Sequence, residues 1–329
     1  MLAINYTLPN HWLENKKGMI PSSKSKCALC LHRTTLCESH IIPSFAYKWL
    51  KETSATGYIR GGINPDIRKQ DGPKLKLLCE KCEGILNKAE TLFANNIFSP
   101  YVNTELDDSG CATGNVKLIQ YNEWLLRFII SIHWRLLVSR DYSTNNKRPA
   151  KVIEKLNTIK EEWRQFLLKE KTNTGECESH IVFLQNMITG RGRLPENINA
   201  KINYYLLRVI DGGPVSRKKE ISIFSKIGPI AFFTTIIPSK LRKTVDSRIR
   251  MKGTVKTAQH LSHSLLTNFL FITRPNEVMP KMKFSDKQWN KIEASYKKDL
   301  KRTANSMSIK AYESDEILKA MIKNKKITE

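Results

Sequence analysis

Residues 26–43 read KCALCLHRTTLCESHIIP and residues 77–84 read LLCEKCEG, and these two stretches decide the expected fold. Each contains a pair of cysteines separated by two residues: Cys27 with Cys30, and Cys79 with Cys82. This gap lets both thiolates of a pair reach one metal ion, and two pairs complete a tetrahedral site. Soft thiolates in a reducing compartment favour zinc. The sequence therefore predicts a structural Zn²⁺ ion held by all four cysteines.

A second set of zinc ligands lies in the first stretch alone. Cys37 follows Cys30 after six residues, and His40 follows Cys37 after two. With Cys27 and Cys30 they would close a site of three cysteines and one histidine, which also suits zinc. Both ligand sets stay open at this point. In the four-cysteine set, the segment between the two pairs must loop out.

The composition indicates a folded protein with a polyanionic partner. The 329 residues include 55 Lys and Arg against 31 Asp and Glu, a formal net charge of +24. Lysine and arginine gain from counterion release along a nucleic-acid backbone, whatever its sequence. Hydrophobic residues make up 40% of the chain, which is enough for a core. The length suggests about two or three folded units.

The chain shows no pattern of secretion or membrane insertion, so a cytoplasmic protein is expected. The most apolar stretch, 124–138, is interrupted by Arg127 and Arg135 and is shorter than the roughly 20 residues of a membrane span. The N-terminal residues lack the basic start and apolar segment of a signal peptide. Seven cysteines, an odd number, do not suit a disulfide framework.

Hydrophobic patterns divide the chain into five segments and predict an α+β fold. An N-terminal lead-in, 1–24, precedes a cysteine-rich segment, 25–105, a helical segment, 106–175, a strand-rich segment, 176–275, and C-terminal helices over 276–329. Continuous apolar residues predict a buried helix over 124–138. Runs rich in β-branched and aromatic residues predict strands of a small antiparallel sheet at 204–210, 220–224 and 231–237.

Two local signals predict where elements end or begin. Residues 211–214, DGGP, predict a turn between two of the strands. Ser285 with Gln288 three positions later matches a capping box, so a helix is expected to begin there. A last helix is expected over 314–323.

The order of the motifs resembles that of a known family. A first cysteine pair, the string SHIIP at 39–43, a second cysteine pair and a helix start follow one another. This order resembles the HNH, or ββα-metal, endonuclease superfamily in its zinc-knuckle form, over residues 25–100. The wider strings SHIIPSFAYKWLK, TGYIRGGINP, QDGPK and LLCEKCE are similar to those of largely uncharacterised bacterial HNH-like proteins. The resemblance implies a zinc-stabilised treble-clef or ββα-metal domain.

The resemblance also implies roles for individual residues. His40 matches the histidine that acts as general base and takes a proton from the attacking water. Glu83, directly after the second cysteine pair, occupies the position of a metal-binding residue, and Asn87 lies one helical turn further on. A carboxylate and an amide oxygen suit Mg²⁺ or Mn²⁺ as the catalytic ion. Glu90 extends the same helix face by a further turn.

Two positions depart from the family pattern. Ser39 precedes His40, where the family usually has an Asp or His metal ligand. The asparagine that often orients the base just before the second cysteine pair is missing, and Lys74 stands near that place. Asp66 or Asp71, between the two pairs, would supply a carboxylate, and the sequence leaves open which one.

A run of cations in the strand-rich segment predicts a nucleic-acid-binding surface. Residues 240–256 contain one acidic residue, Asp246, and seven cations: Lys240, Arg242, Lys243, Arg248, Arg250, Lys252 and Lys256. Such side chains suit contacts with backbone phosphates.

These features together predict a metal-dependent HNH-type endonuclease that hydrolyses DNA phosphodiester bonds. Zn²⁺ would be structural, Mg²⁺ or Mn²⁺ catalytic, and DNA is favoured over RNA as the partner. By analogy at the level of fold, defence of a bacterium against foreign DNA fits this domain type. The alternative is a non-catalytic zinc-binding protein that holds nucleic acid or a protein partner. An RNA-processing factor or a homo-oligomer is also compatible with the charge.

Overall fold

A computed structural model of the chain describes residues 25–62, 64–105, 117–139, 150–188, 197–217, 220–237, 247–259 and 264–328. Helices and small antiparallel sheets share these residues, which confirms the α+β class. The expected lead-in at 1–24 lies outside the described residues.

The cysteine-rich segment consists of three short strand pairs and two helices. Its elements are β1 (Ser25–Lys26), β2 (Arg33–Thr34), β3 (Cys37–His40), α1 (Ser44–Glu52), β4 (Ile59–Arg60), β5 (Arg68–Lys69), β6 (Lys74–Leu78) and α2 (Glu80–Phe93). Antiparallel pairing joins β1 to β2, β3 to β6 and β4 to β5. The chain between β3 and β6 therefore loops out, as predicted, and carries α1 and the β4–β5 pair. Two π-helical turns, Ala94–Phe98 and Tyr101–Glu105, follow α2.

Two long helices confirm the predicted helical segment: α3 (Glu123–Val138) and α4 (Ala150–Leu167). Asn122 caps α3, because its side-chain oxygen accepts a hydrogen bond from the Trp124 N–H at 3.3 Å. The apolar residues of α3 are buried between α2 and the sheet, so α3 is the central helix. Even so, no helix in the described ranges has both the length and the apolarity to cross a membrane.

The strand-rich segment forms a five-stranded antiparallel sheet. Its strands are β8 (Glu178–Phe183), β9 (Ile210–Arg217), β10 (Glu220–Ile227), β11 (Ile230–Ile237) and β12 (Arg248–Ile249), in the spatial order β12-β8-β11-β10-β9. β10 and β11 confirm two of the predicted strands. A separate ribbon forms where β7 (Leu118–Tyr121) pairs antiparallel with β13 (Gly253–Lys256).

Two predictions between 204 and 214 are wrong. Residues 204–208 belong to a helix, α5 (Ile202–Arg208), whose first N–H groups donate to the buried Asp315 carboxylate. Residues 211–214 lie in β9 and not in a turn. Asp211 is buried and paired with Arg274 at 2.7 Å, and β9 is an edge strand, where Pro214 is tolerated. Tertiary contacts thus override the local strand and turn preferences.

Five helices complete the chain: α6 (Ser264–Asn268), α7 (Arg274–Val278), α8 (Asp286–Lys298), α9 (Leu300–Ala304) and α10 (Met307–Thr328). A π-helical turn, Phe269–Thr273, and a 3₁₀ turn, Met279–Lys281, lie among them. The predicted helix start is confirmed, because Ser285 Oγ accepts a hydrogen bond from the Gln288 N–H at 3.3 Å. α10 contains the helix predicted over 314–323.

The sheet separates two hydrophobic clusters. Because side chains alternate along a strand, Phe232 faces one cluster and Phe233 the other. The first cluster extends from the cysteine-rich segment through α3 and α4 to the sheet. The second lies between the sheet, α5 and the C-terminal helices. The cysteine-rich segment therefore shares its core with the central helix and the sheet.

Candidate metal centre and active site

The two cysteine pairs meet at one point of the fold. The sulfur atoms of Cys27, Cys30, Cys79 and Cys82 all lie within 4.8 Å of one another, and the sulfur atoms of Cys30 and Cys79 are 3.9 Å apart. Zn–S bonds of about 2.3 Å in a tetrahedron require sulfur–sulfur distances of about 3.8 Å. The cluster therefore fits one tetrahedral metal ion such as Zn²⁺, which confirms this part of the prediction.

Of the two ligand sets, the structure assembles the four cysteines and not the alternative with Cys37 and His40. His40 contacts Asp71 instead. Burial, together with the nearby Glu83 and Glu80 carboxylates, raises the pKa of the Cys37 thiol. A raised pKa opposes the thiolate form that a metal ligand needs.

Backbone geometry folds the first cysteine pair around the cluster. The Leu31 N–H donates to the Cys27 carbonyl at 2.9 Å, in a turn where Leu31 has a φ of 64°. The Cys79 N–H donates to Cys27 Sγ at 3.4 Å, which joins the second pair to the first. Burial raises the pKa of Cys27, but hydrogen bonds from the backbone of Cys30, Cys79 and Leu29 outweigh it and lower the pKa to about 7. A thiolate is thus favoured at Cys27.

His40 ends β3 and faces a carboxylate from the looped-out segment. Its Nε2 lies 2.9 Å from Asp71 Oδ1, and Asp71 Oδ2 lies 2.7 Å from Lys74 Nζ. Burial opposes ionisation of Asp71, but hydrogen bonds from Lys74, His40 and the Gly72 N–H lower its pKa below the usual value. The ionised carboxylate only accepts hydrogen bonds, so neutral His40 donates through Nε2. Nδ1 is then the proton acceptor of the ring.

Of the two carboxylates that the sequence left open, the structure places Asp71 at His40. Asp66 lies elsewhere, where its Oδ1 accepts a hydrogen bond from the Ser285 N–H at 3.0 Å before the start of α8. Lys74 pairs with His40 in the strand register, and its ammonium group holds Asp71. The residue near the place of the missing asparagine thus acts on the carboxylate.

Tyr47 and Gly72 let the looped-out segment approach His40. The Tyr47 ring stacks on the His40 ring, with 5.8 Å between the ring centroids. Gly72 lies so close to the Tyr47 ring that a Cβ atom at this position would overlap it. The lack of a side chain at Gly72 therefore allows Asp71 to reach His40.

Ser39 is used to join two strands. Its side chain is buried, and its Oγ accepts a hydrogen bond from the Leu78 N–H at 3.2 Å. This contact crosses the β3–β6 pair near the irregularity in register between Cys37 and Glu38. The position that departs from the family pattern is thus occupied by a strand contact, and its oxygen already has a partner.

The predicted metal-binding side chains lie on α2, which packs against β3. Glu83 is half-buried, and its Oε1 is buried without a hydrogen-bond partner among the described residues. Asn87, one turn further, is exposed. Within the described ranges, the cysteine cluster is the one group of three or more His, Cys, Asp or Glu side chains close enough to share an ion. Glu83 and Asn87 therefore offer two oxygen ligands and not a complete protein cage.

Sequence reasoning missed Arg135, which connects α2 to His40 through α3. Its side chain is 1% exposed, its Nη1 donates to the His40 carbonyl at 2.8 Å, and its Nη2 pairs with Glu90. Its Nε donates to the Ser131 carbonyl at 3.2 Å, so the guanidinium plane is fixed. The sequence signal was a charge in an apolar stretch, which is rare in a buried helix unless the charge is paired. Glu90 supplies that pairing.

The C-terminal helices hold the looped-out segment that carries Asp71. Arg302 of α9 donates to the Lys51 carbonyl at 3.0 Å and to the Ser54 carbonyl at 2.9 Å, around the C-terminal end of α1. These contacts satisfy carbonyl groups that a helix end leaves without partners. The position of Asp71 therefore depends on residues far along the chain.

The predicted cationic surface is described in part. Three of its members lie outside the described residues: Lys240, Arg242 and Lys243. Three are exposed at or just after β12: Arg248, Arg250 and Lys252. Arg248 is paired with Glu178 at 3.1 Å, so part of its charge is balanced.

No family model, curated protein or solved structure matches this chain. The candidate site is therefore defined by its own geometry. That geometry consists of a four-cysteine cluster, a His40–Asp71 pair at the end of β3, and a buried Arg135 on the His40 carbonyl.

Proposed function

We propose that the protein is a metal-dependent endonuclease of the HNH type that hydrolyses phosphodiester bonds in DNA. The observation that carries the proposal is the His40–Asp71 pair, with 2.9 Å between Nε2 and Oδ1, at the end of a strand. That strand pairs with β6, and β6 leads directly into α2. The cysteine cluster fits a structural Zn²⁺ ion where β6 meets α2. This order of elements supports a treble-clef or ββα-metal domain.

His40 is the general base of the proposed reaction. Its Nδ1 takes a proton from water while the water oxygen bonds to phosphorus. The bond from phosphorus to the leaving oxygen breaks, and the leaving oxygen takes a proton from solvent. Asp71 accepts from Nε2–H and stabilises the positive charge that the ring gains. Arg135 fixes the backbone at the His40 carbonyl, so both ends of the residue are held.

Glu83 and Asn87 would hold the catalytic ion. A divalent ion such as Mg²⁺ or Mn²⁺ neutralises charge on the scissile phosphate and the leaving oxygen when bound. The buried Oε1 of Glu83, which has no partner among the described residues, supports this role because buried carboxylate oxygens require one. Mg²⁺ keeps several water ligands and needs only one or two carboxylates, so this small donor set fits.

The charge and the cysteines support the partner and the compartment. A net charge of +24 favours a polyanion, and DNA is the substrate of the domain type that the motifs resemble. Thiols that meet as a metal site suit the reducing cytoplasm. Defence of a bacterium against foreign DNA is the role that we propose for such a nuclease.

The test is nicking of supercoiled plasmid by zinc-loaded protein in the presence of Mg²⁺ or Mn²⁺. His40→Ala removes the proposed base, and His32→Ala is the matched control, because His32 is an exposed histidine of the same segment. Wild type and His32→Ala should nick the plasmid only with the metal. His40→Ala should be slower by about 10²-fold or more, with unchanged zinc content and circular dichroism.

Two outcomes would contradict the proposal. Equal nicking by His40→Ala and wild type would exclude His40 as the base. Binding without cleavage of any DNA by wild type would favour the second candidate function, a non-catalytic zinc protein that holds nucleic acid. The observation that favours this candidate is Ser39, whose oxygen is engaged with the Leu78 N–H where the family places a metal ligand.

A further inference from the structure

The β7–β13 ribbon stands apart from the five-stranded sheet and carries an unbalanced charge. Its register runs from Gly253 opposite Tyr121 to Lys256 opposite Leu118, and neither strand pairs with a third among the described strands. Residues 117–122 and 247–259, which form the ribbon and the chain leading into it, contain no carboxylate. They contain five cations: Lys117, Arg248, Arg250, Lys252 and Lys256.

Alternation along the two strands gives the ribbon an inner and an outer face. Val255 and Tyr121 are buried against the core. The outer face consists of exposed side chains: Lys252, Thr254, Lys256, Leu118 and Gln120. Thr254 lies opposite Gln120 in the register, and Lys256 lies opposite Leu118, which is 56% exposed. Two hydrogen-bonding side chains therefore lie side by side, next to lysines and one exposed apolar side chain.

We propose that this outer face binds duplex DNA in the major groove, with Lys252 and Lys256 on the backbone phosphates. The major groove of B-DNA is about 12 Å wide and admits a two-stranded β-ribbon. Glutamine and threonine side chains hydrogen-bond to base edges there, and apolar side chains contact the thymine methyl group. The inference rests on the proposed function for the choice of DNA as the partner, and it names the element that binds the substrate.

Duplex RNA fits the ribbon less well. The major groove of an A-form helix is deep and narrow, and side chains do not read it. On RNA, the ribbon would contact phosphates alone, and Gln120 and Thr254 would add nothing. Preference for duplex DNA over duplex RNA is therefore part of the inference.

One helix joins the ribbon to the candidate active site. β7 ends at Tyr121, Asn122 caps α3, and Arg135 of the same helix donates to the His40 carbonyl. At 1.5 Å per residue, Asn122 and Arg135 are about 20 Å apart along the helix axis. At 3.4 Å per base pair, a duplex that reaches from the ribbon to His40 spans about six base pairs.

The first test measures DNA binding by a variant that cannot cleave. His40→Ala serves as the background, and Lys252→Gln/Lys256→Gln is compared with Lys297→Gln/Lys298→Gln, two exposed lysines of α8. The Kd for a duplex several helical turns long is measured between about 50 and 200 mM salt. The ribbon variant should reduce the slope of log K against log salt by about 1.8 and raise the Kd about 60-fold at 0.1 M salt. The α8 variant should leave both unchanged.

A second variant separates base contacts from phosphate contacts. Gln120→Ala/Thr254→Ala should weaken binding to duplex DNA with an unchanged salt slope, because these side chains release no counterions. It should leave binding to duplex RNA unchanged. Equal loss of slope in the ribbon and α8 variants would overturn the inference, and so would RNA binding as tight and as sensitive to Gln120→Ala/Thr254→Ala as DNA binding.

The binding assay keeps the two proposals distinguishable. A reduced slope in the ribbon variant, in a protein that never nicks plasmid, would support the ribbon and reject the nuclease. Nicking that depends on His40, with an unchanged slope in the ribbon variant, would overturn the ribbon alone.

Discussion

Acid should destabilise the folded protein through one buried histidine. His133 lies in α3 and is 0% exposed. Its Nδ1 is 2.8 Å from Thr234 Oγ1 and its Nε2 is 2.9 Å from Ser225 Oγ, so it joins the central helix to two strands of the sheet. Burial lowers its pKa from 6.5 to about 3. The ring therefore stays neutral in the fold at pH values where the unfolded chain protonates it.

The sign and the size of the effect follow from proton linkage. Below pH 6.5 the unfolded chain binds a proton that folded His133 does not, so the free energy of unfolding falls until the pH reaches about 3. Each pH unit in this window is worth about 1.36 kcal/mol. A change from pH 7.5 to pH 4.5 should therefore remove about 2.7 kcal/mol, a large part of the stability of an ordinary domain.

The assay is urea unfolding of wild type and His133→Gln at both pH values. Glutamine keeps hydrogen-bonding groups near the two hydroxyls but does not titrate. Asp315 acts in the opposite sense, because burial raises its pKa to about 7 and its contribution to stability increases as the pH falls towards 3.8. Asp315 and the cysteine cluster are common to both proteins, so the difference between them isolates His133. A difference of less than about 1 kcal/mol would refute the reasoning.

The candidate site and one helix cap provide four further tests. Cys82→Ser should release zinc and lower the free energy of unfolding by about 3 kcal/mol or more, measured by metal analysis and urea unfolding; full zinc retention would contradict the four-cysteine site. Asp71→Asn should reverse the His40 tautomer and slow nicking by about 10²–10⁴-fold at unchanged DNA affinity, so equal rates would exclude the orienting role. Arg135→Lys keeps the charge beside its carboxylate partner but loses the planar fork, and it should lower kcat by about 10²-fold with KM and the pH profile unchanged; a change in stability alone would make the residue merely structural. Ser285→Ala should cost about 1 kcal/mol in urea unfolding, and a neutral result would show that the cap does not stabilise α8.

Local spacing predicted the parts of the structure that depend on local chemistry. Two residues between Cys79 and Cys82 are enough for one knuckle, and the capping oxygen of Ser285 is three residues from the N–H that it accepts from. The apolar run at 124–138 predicted α3 because no surface helix is apolar nearly all round. In each case the residues that make the signal also make the contact.

Long-range contacts decided what the sequence could not predict. The strand predicted at 204–210 has a β-rich composition, but burial on all sides of α5 leaves no period to reveal a helix. Its capping carboxylate, Asp315, is more than a hundred residues away. Asp66 and Asp71 looked equivalent until the fold brought one of them to His40. Such contacts are set by packing and leave no trace in local spacing.

The candidate active site meets its physical requirements with residues outside the motif. A general base needs a fixed backbone, a fixed ring and a defined tautomer, and none of these needs a particular residue type. Here Arg135 holds the backbone of His40 from 95 residues away, and Asp71 holds the ring and sets its tautomer from 31 residues away. The family pattern would assign orientation to an asparagine that this chain lacks. The missing asparagine therefore does not by itself argue against catalysis, and the decisive question is whether the Glu83 side of α2 binds a divalent ion.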